Sequence, residues 1–174
     1  MDQTPVVNGP GTFNIASYSE DWRSRLLSTF AHTPFRLQCG ERVLDLASVE
    51  GFWQGLKWPE ASAERLRIFG LWGIDAKMAG HGAPARTHVR FCGCDVPIGS
   101  AEHHELARLA IKAKLEQNKE VQRALEATDD LRLTHVLVDD NGQLVPDSLT
   151  LPAAVFCRIW TELRAEWRSA HATA

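Results

Sequence analysis

Residues 151–168, LPAAVFCRIWTELRAEWR, place Phe156, Ile159, Trp160, Leu163 and Trp167 along one stripe of a helical wheel, with Arg158, Arg164, Glu166 and Arg168 mostly off it. An apolar stripe of that length has to be covered by other elements, so the segment predicts a long amphipathic helix laid on a layered core. Further helical periods run over 49–57, 60–70, 73–79, 101–117 and 119–127. In PFRLQCGERVLDL, 34–46, two short runs flank Cys39-Gly40 at the spacing of a tight β-hairpin. HVRFCGC and LTHVLVDD read as short strands. Together these periods predict an α+β fold: a mostly helical single domain with a small β-hairpin or sheet.

At 174 residues one core is the default. The opening residues, rich in Pro, Gly, Asn and Thr, predict a flexible lead-in over 1–12 ahead of one domain over 13–170. A chain with 44% hydrophobic and 24% charged residues carries no signature of disorder, and a net charge of -3 argues against gripping nucleic acid through charge alone. No basic segment leads into an apolar run at the start, and no apolar stretch reaches the length of a membrane span, which predicts a soluble cytoplasmic protein with no membrane partner. Cys39, Cys92, Cys94 and Cys157 are irregularly spaced and predict reduced thiols. The C-x-C pair in FCGCD has His81, His88, His103 and His104 around it but no second ligand pair at matching spacing, so no metal is expected.

The segment SVEGFWQGLKW, 48–58, raises the question of function. Ser48 is a good N-cap, Glu50 falls in the first turn where the helix dipole favours an anion, and Pro59 ends the element. At about 100° per residue Val49, Phe52 and Leu56 form the core stripe, with Trp53, Lys57, Glu50 and Gln54 following around one edge. Glu50 and Lys57 then share a face at about 10 Å along the axis, too far for a direct ion pair and suited to flanking one bound molecule. Two accounts fit: charges rimming the core, with Lys57 lying over Trp53 and Trp58, or working groups on either side of a ligand. Gly51 and Gly55, on the far side, each cost about 1 kcal/mol relative to alanine, which implies that something approaches that backbone closely. His103 and His104, after Ser100, are expected to be solvated and without a catalytic role, and Lys112 and Lys114 to lie on a surface face.

With its surroundings this stretch resembles the NADAR or YbiA-like family. LLSTFAHTPFRL supplies Leu27, Ser28 and Phe30 for the family's LSNF-like element and Pro34-Phe35 for its strand, and ASVEGFWQGLK supplies Ser48, Glu50, Gln54 and Lys57 for its S-x-E-x-x-x-Q-x-x-K helix. GIDAKMAGHG is similar to its A-K-x-x-G segment, LARLAIKAKLEQNKEVQRALEATDDLRLTH to its long K-x-x-Q-N helix with the following helix and strand, and WTELRAEWR to its closing helix. The resemblance covers most of 13–168. Thr29 replaces an asparagine, His81 stands where an arginine is common, and VDDNGQLVPDSLTLPAAVF lacks the W-G-x-G and N-x-L-G patterns, which marks a divergent subgroup with a rebuilt loop.

The resemblance implies an N-glycosidase hydrolysing the bond between a phospho- or ADP-ribose and a nitrogen base, with no cofactor. Its candidate substrates are riboflavin-pathway intermediates and ADP-ribosylated guanine, the latter including adducts carried on nucleic acid. Glu50 would stabilise oxocarbenium charge or activate water, and Lys57 would form a Schiff base with an opened ribose or hold a phosphate or diol. Ser28, Trp53, Gln54, Asp139, Asp147 and Ser148 are the substrate-binding candidates. Trp53 is either a stacking platform for the base or a core aromatic. PDSLTLP opens the last helix, where the Ser148 and Thr150 hydroxyls and a helix N-terminus offer an anion site; Asp147 is either a ribose ligand or a turn residue. A non-catalytic sensor of ADP-ribose is the alternative. Contact with nucleic acid would rely on a patch of Arg158, Arg164 and Arg168.

Overall fold

Capping side chains set four of the helix starts. Asp21 accepts from the Arg23 amide ahead of α1 (Trp22–Leu27), and Ser48 from Gly51 ahead of α2 (Val49–Gly55). Ser62 does the same for α3 (Ala63–Phe69), which is followed by α4 (Gly73–His81), and Ser100 for α5 (Ala101–Gln117). Two more helices follow, α6 (Lys119–Glu126) and α7 (Ala153–His171). The computed structural model describes residues 9–172. Of the lead-in expected over 1–12, residues 1–8 lie outside the described residues, and the rest closes a turn through the Thr12 hydroxyl into β1 (Thr12–Asn14).

Three two-stranded sheets complete the described α+β fold. β2 (Phe35–Cys39) and β3 (Arg42–Leu46) form the expected hairpin, with Gly40 at φ 61° in its turn. β4 (His88–Phe91) and β5 (Cys94–Pro97) form a second hairpin. β1 pairs in parallel with β6 (Arg132–Thr134) across more than a hundred residues of chain. Neither β1 nor the short α1 was expected from periodicity, because each is too brief to show a period. Between the hairpins and α7 runs α5, in contact with β2, β5, α2, α6 and α7.

That central position explains three corrections to the sequence expectations. Lys114 is not on a surface face: it is 0% exposed, and its ammonium donates to the Ser28 carbonyl at 2.7 Å beside the Trp160 ring. His103 is not solvated, since α5 presses it against α2 and leaves it 3% exposed. Arg164 is buried as well, donating to Thr128 Oγ1 and the Leu131 carbonyl, while Arg168 pairs with Asp130 and Arg158 lies 3.8 Å from Glu162. The arginine patch read from α7 is thereby largely internal or neutralised. The stripe itself is buried as expected at Phe156, Ile159, Trp160 and Leu163.

The thiols also differ from expectation. Cys39, at the end of β2, and Cys92, in the β4–β5 turn, form a disulfide with Cα atoms 5.3 Å apart, leaving Cys94 and Cys157 free. The pairing joins two hairpins that are 53 residues apart in the chain, a proximity no local spacing reveals. Among the described residues no three His, Cys, Asp or Glu side chains converge as a metal site, and no helix is long and apolar enough to cross a membrane.

Candidate functional site

Glu50 enters its site through the N-terminal turn of α2, and it is only 7% exposed. Two side chains donate to its carboxylate: Thr29 Oγ1 to Oε2 at 2.9 Å and Gln54 Nε2 to Oε1 at 2.8 Å. The Glu50 amide donates in turn to the Thr29 carbonyl at 2.9 Å, so the segment after Ser28 and the start of α2 are locked together. The carboxylate is therefore a fixed group whose oxygens are both engaged, unlike a solvated rim charge. Ser28 itself is buried, its hydroxyl accepting from the Phe30 amide and its carbonyl from Lys114. It supports Thr29 and Glu50 from behind.

The close approach implied by Gly51 and Gly55 comes from within the chain. A Cβ on Gly51 would meet the carbonyl oxygens of Leu71 and Ile68, and one on Gly55 would lie 2.5 Å from the Phe69 ring. α3 and the turn after it press on this face of α2, while α4 and α5 pack on its other sides, so that every residue of the helix is buried. Gly80 of α4 gives way to Gln54 in the same manner, because a Cβ there would overlap the Gln54 amide oxygen. That oxygen is buried and has no hydrogen-bond partner among the described residues. Gly80→Ala is expected to fold while forcing the Gln54 amide off Glu50, which a crystal structure of the variant would check.

Lys57 follows α2 at the mouth of this arrangement. Burial lowers its proton affinity below the usual lysine value; Glu50 opposes that shift and Lys77 adds to it. Both the carboxylate and the second lysine are thus within electrostatic reach of its ammonium. A cleft of about 280 Å³ opens here, lined among others by Trp53, Lys57, Gly80, His81, Arg86 and His103, and none of its described lining residues is a carboxylate. Among the described residues none of Lys57, Lys77, His81 and Arg86 forms an ion pair.

Trp53 forms the apolar wall, with one face already covered: the His103 ring stacks on it at 4.1 Å and 18°. His103 Nδ1 accepts from the Gly99 amide at 3.0 Å, so Nε2 carries the proton. Burial, with His104 adding to it, lowers its pKa to about 4 and keeps it neutral. His104 Nε2 lies 3.1 Å from the Thr150 carbonyl, and this contact brings the loop before α7 to the cleft, where Thr150 is a lining residue.

The remaining candidates are placed less centrally. Asp139 is exposed, and its carboxylate accepts from the amides of Asn141 and Gln143 in its own turn. Asp147 accepts from Ser148 and from Ala153, the first amide of α7, so it fills part of the helix terminus expected to receive an anion. Ser148 Oγ accepts from the Thr150 and Leu151 amides. Asp147 nonetheless lies within electrostatic reach of His135, as does Glu50; both raise a histidine pKa that burial lowers. His135 was absent from the sequence reading, and its only sequence signal is a place just after a short strand.

A family model described as bacteriophage protein GP30.3 matches residues 21–165. No curated protein matches. The matched family is not the NADAR or YbiA-like one, and the resemblance drawn from motif order is overturned by it. The motifs behind that resemblance are few positions at helical spacing, a pattern that unrelated helices carrying a polar edge also satisfy.

Proposed function

This chain belongs to the bacteriophage protein GP30.3 family, and we propose that it is a soluble, cytoplasmic N-glycosidase that hydrolyses the bond between a ribosyl group and a nitrogen base. The observation that carries this reading is the buried Glu50 carboxylate, held by Thr29 and Gln54 within electrostatic reach of Lys57, a lysine of lowered proton affinity that lines a cleft with no carboxylate among its described lining residues. N-glycosidic cleavage places positive charge on the anomeric carbon, and a fixed carboxylate in a partly dry site stabilises that charge without reorganising. The same oxygens can take the proton of an attacking water. This chemistry needs acid–base groups and a charge, and no electron carrier.

The cleft suits both ends of such a substrate. The apolar wall beside Trp53 fits a base, and Lys57 and Arg86, which form no ion pair among the described residues, fit a phosphorylated ribose beside the His81 ring.

The test is chromatography with mass detection after incubating the protein with aminopyrimidine ribosyl phosphates, ADP-ribosylated guanine in DNA, NAD and ADP-ribose. Base release from at least one compound is expected, falling about 100-fold or more in Glu50→Gln with the fold intact. Lys57→Ala is expected to raise KM about 10-fold if the ammonium holds phosphate, whereas borohydride trapping of a covalent adduct on Lys57 would give it the Schiff-base role. Undiminished release in Glu50→Gln would overturn the reading. Retained binding of ADP-ribose with no release from any compound would replace the enzyme by a sensor.

A further inference from the structure

Helix α4 bridges two openings in the surface. At its start the Gly73 amide donates to the Phe30 carbonyl at 3.1 Å, which fixes the helix against the segment after α1. Phe30 and His32 of that segment line a cavity of about 350 Å³ together with Trp22 and Arg25. At the far end of α4, Gly80 and His81 line the cleft that also holds Lys57 and Trp53. The helix between the openings is nine residues long, which sets them about 12 Å apart along its axis.

The solvent face of α4 carries cations and large apolar groups side by side. On the helical wheel Lys77, His81, Ile74 and Met78 follow one another within about 100°, and all four are exposed. Asp75, the acidic residue of the helix, lies about 160° around from Lys77. The Lys77 ammonium stands 5.8 Å from the centroid of the Phe30 ring, beside the first opening. Among the described residues Arg25, Lys57, Lys77 and Arg86 form no ion pair, so positive charge without a salt-bridged partner occurs at both openings and between them.

Rings flank this charge. Just before α4, Trp72 is 48% exposed and stacks on His32 at 4.1 Å and 21°, while Trp22, lining the first cavity, is 45% exposed. A tryptophan left in water forgoes the burial that so large a ring ordinarily gains. A ring already held against a histidine also loses little freedom when a second ring stacks on it.

Ring faces interspersed with unpaired cations match a polymer that alternates bases and phosphates. We propose that the outer face of α4, from the Trp72–His32 pair to the cleft, binds single-stranded nucleic acid. Bases stack on Trp72 and Trp22, and Arg25, Lys77, Lys57 and Arg86 hold the phosphates. A duplex keeps its base faces stacked inside, an acidic peptide brings charge without a row of planar rings, and a bilayer cannot enter the two openings. The net charge of -3 is no obstacle, because the cations act locally and stacking supplies part of the affinity. The inference does not draw on the N-glycosidase reading, since a strand can be held here whether or not the cleft breaks a bond.

The test is fluorescence anisotropy of a labelled oligothymidylate of about 12 nucleotides, titrated with the protein between about 50 and 200 mM salt. Trp72→Ala is expected to weaken binding about 10-fold, and Trp72→Phe, which keeps a ring, to restore most of it. Lys77→Ala should weaken binding and reduce the slope of log affinity against log salt by about 0.7, the loss of one phosphate contact. Arg123→Ala, which removes an ion-paired arginine of α6 lining neither opening, should change nothing. A duplex of the same length is expected to bind about 10-fold more weakly, and polyglutamate should fail to displace the strand. Lys77 is exposed, so Lys77→Ala decides the matter alone if Trp72→Ala unfolds the chain, which circular dichroism would show. No binding at the lowest salt overturns the inference, and so does binding that Lys77→Ala and a folded Trp72→Ala leave unchanged. Displacement by polyglutamate, or binding to vesicles of anionic phospholipid that the same variants weaken, would assign this face to an acidic peptide or a membrane and overturn it as well. None of these outcomes bears on base release, so the two readings stand or fall separately.

Discussion

Gly51→Ala is expected to destabilise the protein by about 3 kcal/mol or more, enough to remove much of the stability of an ordinary domain. Two effects oppose each other. Alanine in place of glycine inside a helix is worth about 1 kcal/mol of stabilisation where nothing obstructs its methyl group. At Gly51 that methyl would meet the carbonyl oxygens of Leu71 and Ile68, the latter at 2.9 Å, as well as the Ser48 hydroxyl. The carbonyls are backbone and cannot turn aside as a side chain would. Leu71 also bonds through its amide to Ile68 and through its carbonyl to Ser48 Oγ, so moving it breaks the cap of α2. Steric cost therefore exceeds propensity, and Glu50 loses the helix turn that aims it. Urea denaturation of the variant checks this; a midpoint at or above the wild-type value would show that α3 can retreat from α2.

That packing also explains what could be read in advance. The Ser48 cap, the first-turn Glu50 and the glycines of α2 were visible because a short helix writes its caps and faces into a few adjacent residues. The β2–β3 hairpin was visible for the same reason: its turn and both runs lie within a dozen residues. What stayed hidden depends on contacts between distant parts of the chain. The β1–β6 pair, the Cys39–Cys92 bond and the bonds of the Asn14 side chain to the Val136 backbone each join segments more than fifty residues apart. Polar residues on a central helix misled in a different way. A lysine at helical spacing reads as solvated, yet α5 is covered on several sides, so both His103 and Lys114 are enclosed. Glu50 and Gln54 were legible as sharing an edge with Lys57, but the Thr29 donor, which fixes the Glu50 carboxylate from another segment, was not.

Enclosing Lys114 has a thermodynamic consequence with a definite sign. Burial lowers its pKa from 10.5 to about 7, and among the described residues no carboxylate offsets the shift. Below about pH 7 the lysine is protonated in both folded and unfolded chains, and the folded chain carries a buried charge. Between about pH 7 and the unfolded value the unfolded chain holds the extra proton, so stability rises with pH. At about 1.4 kcal/mol per pH unit, the gain from pH 7 to 10 is on the order of 4 kcal/mol. Cys157 acts in the opposite direction at the upper end, since its pKa is raised to about 11 and the folded chain there holds the proton that the unfolded chain loses. The comparison with Lys114→Met cancels that term and every other shared one. Methionine fills the space beside Trp160 without a charge but takes the ammonium donor from the Ser28 carbonyl, which keeps only the long bond from the Ala31 amide at 3.4 Å, a loss of about 1–3 kcal/mol. Near pH 7 the two proteins are therefore expected to have similar stability, and by pH 10 the wild type should lead by a few kcal/mol. Urea unfolding at half-unit steps of pH measures the difference directly. A difference constant to within about 1 kcal/mol from pH 7 to 10 would mean that the buried ammonium keeps its proton throughout, and that the Ser28 carbonyl and the Trp160 ring alone compensate its burial.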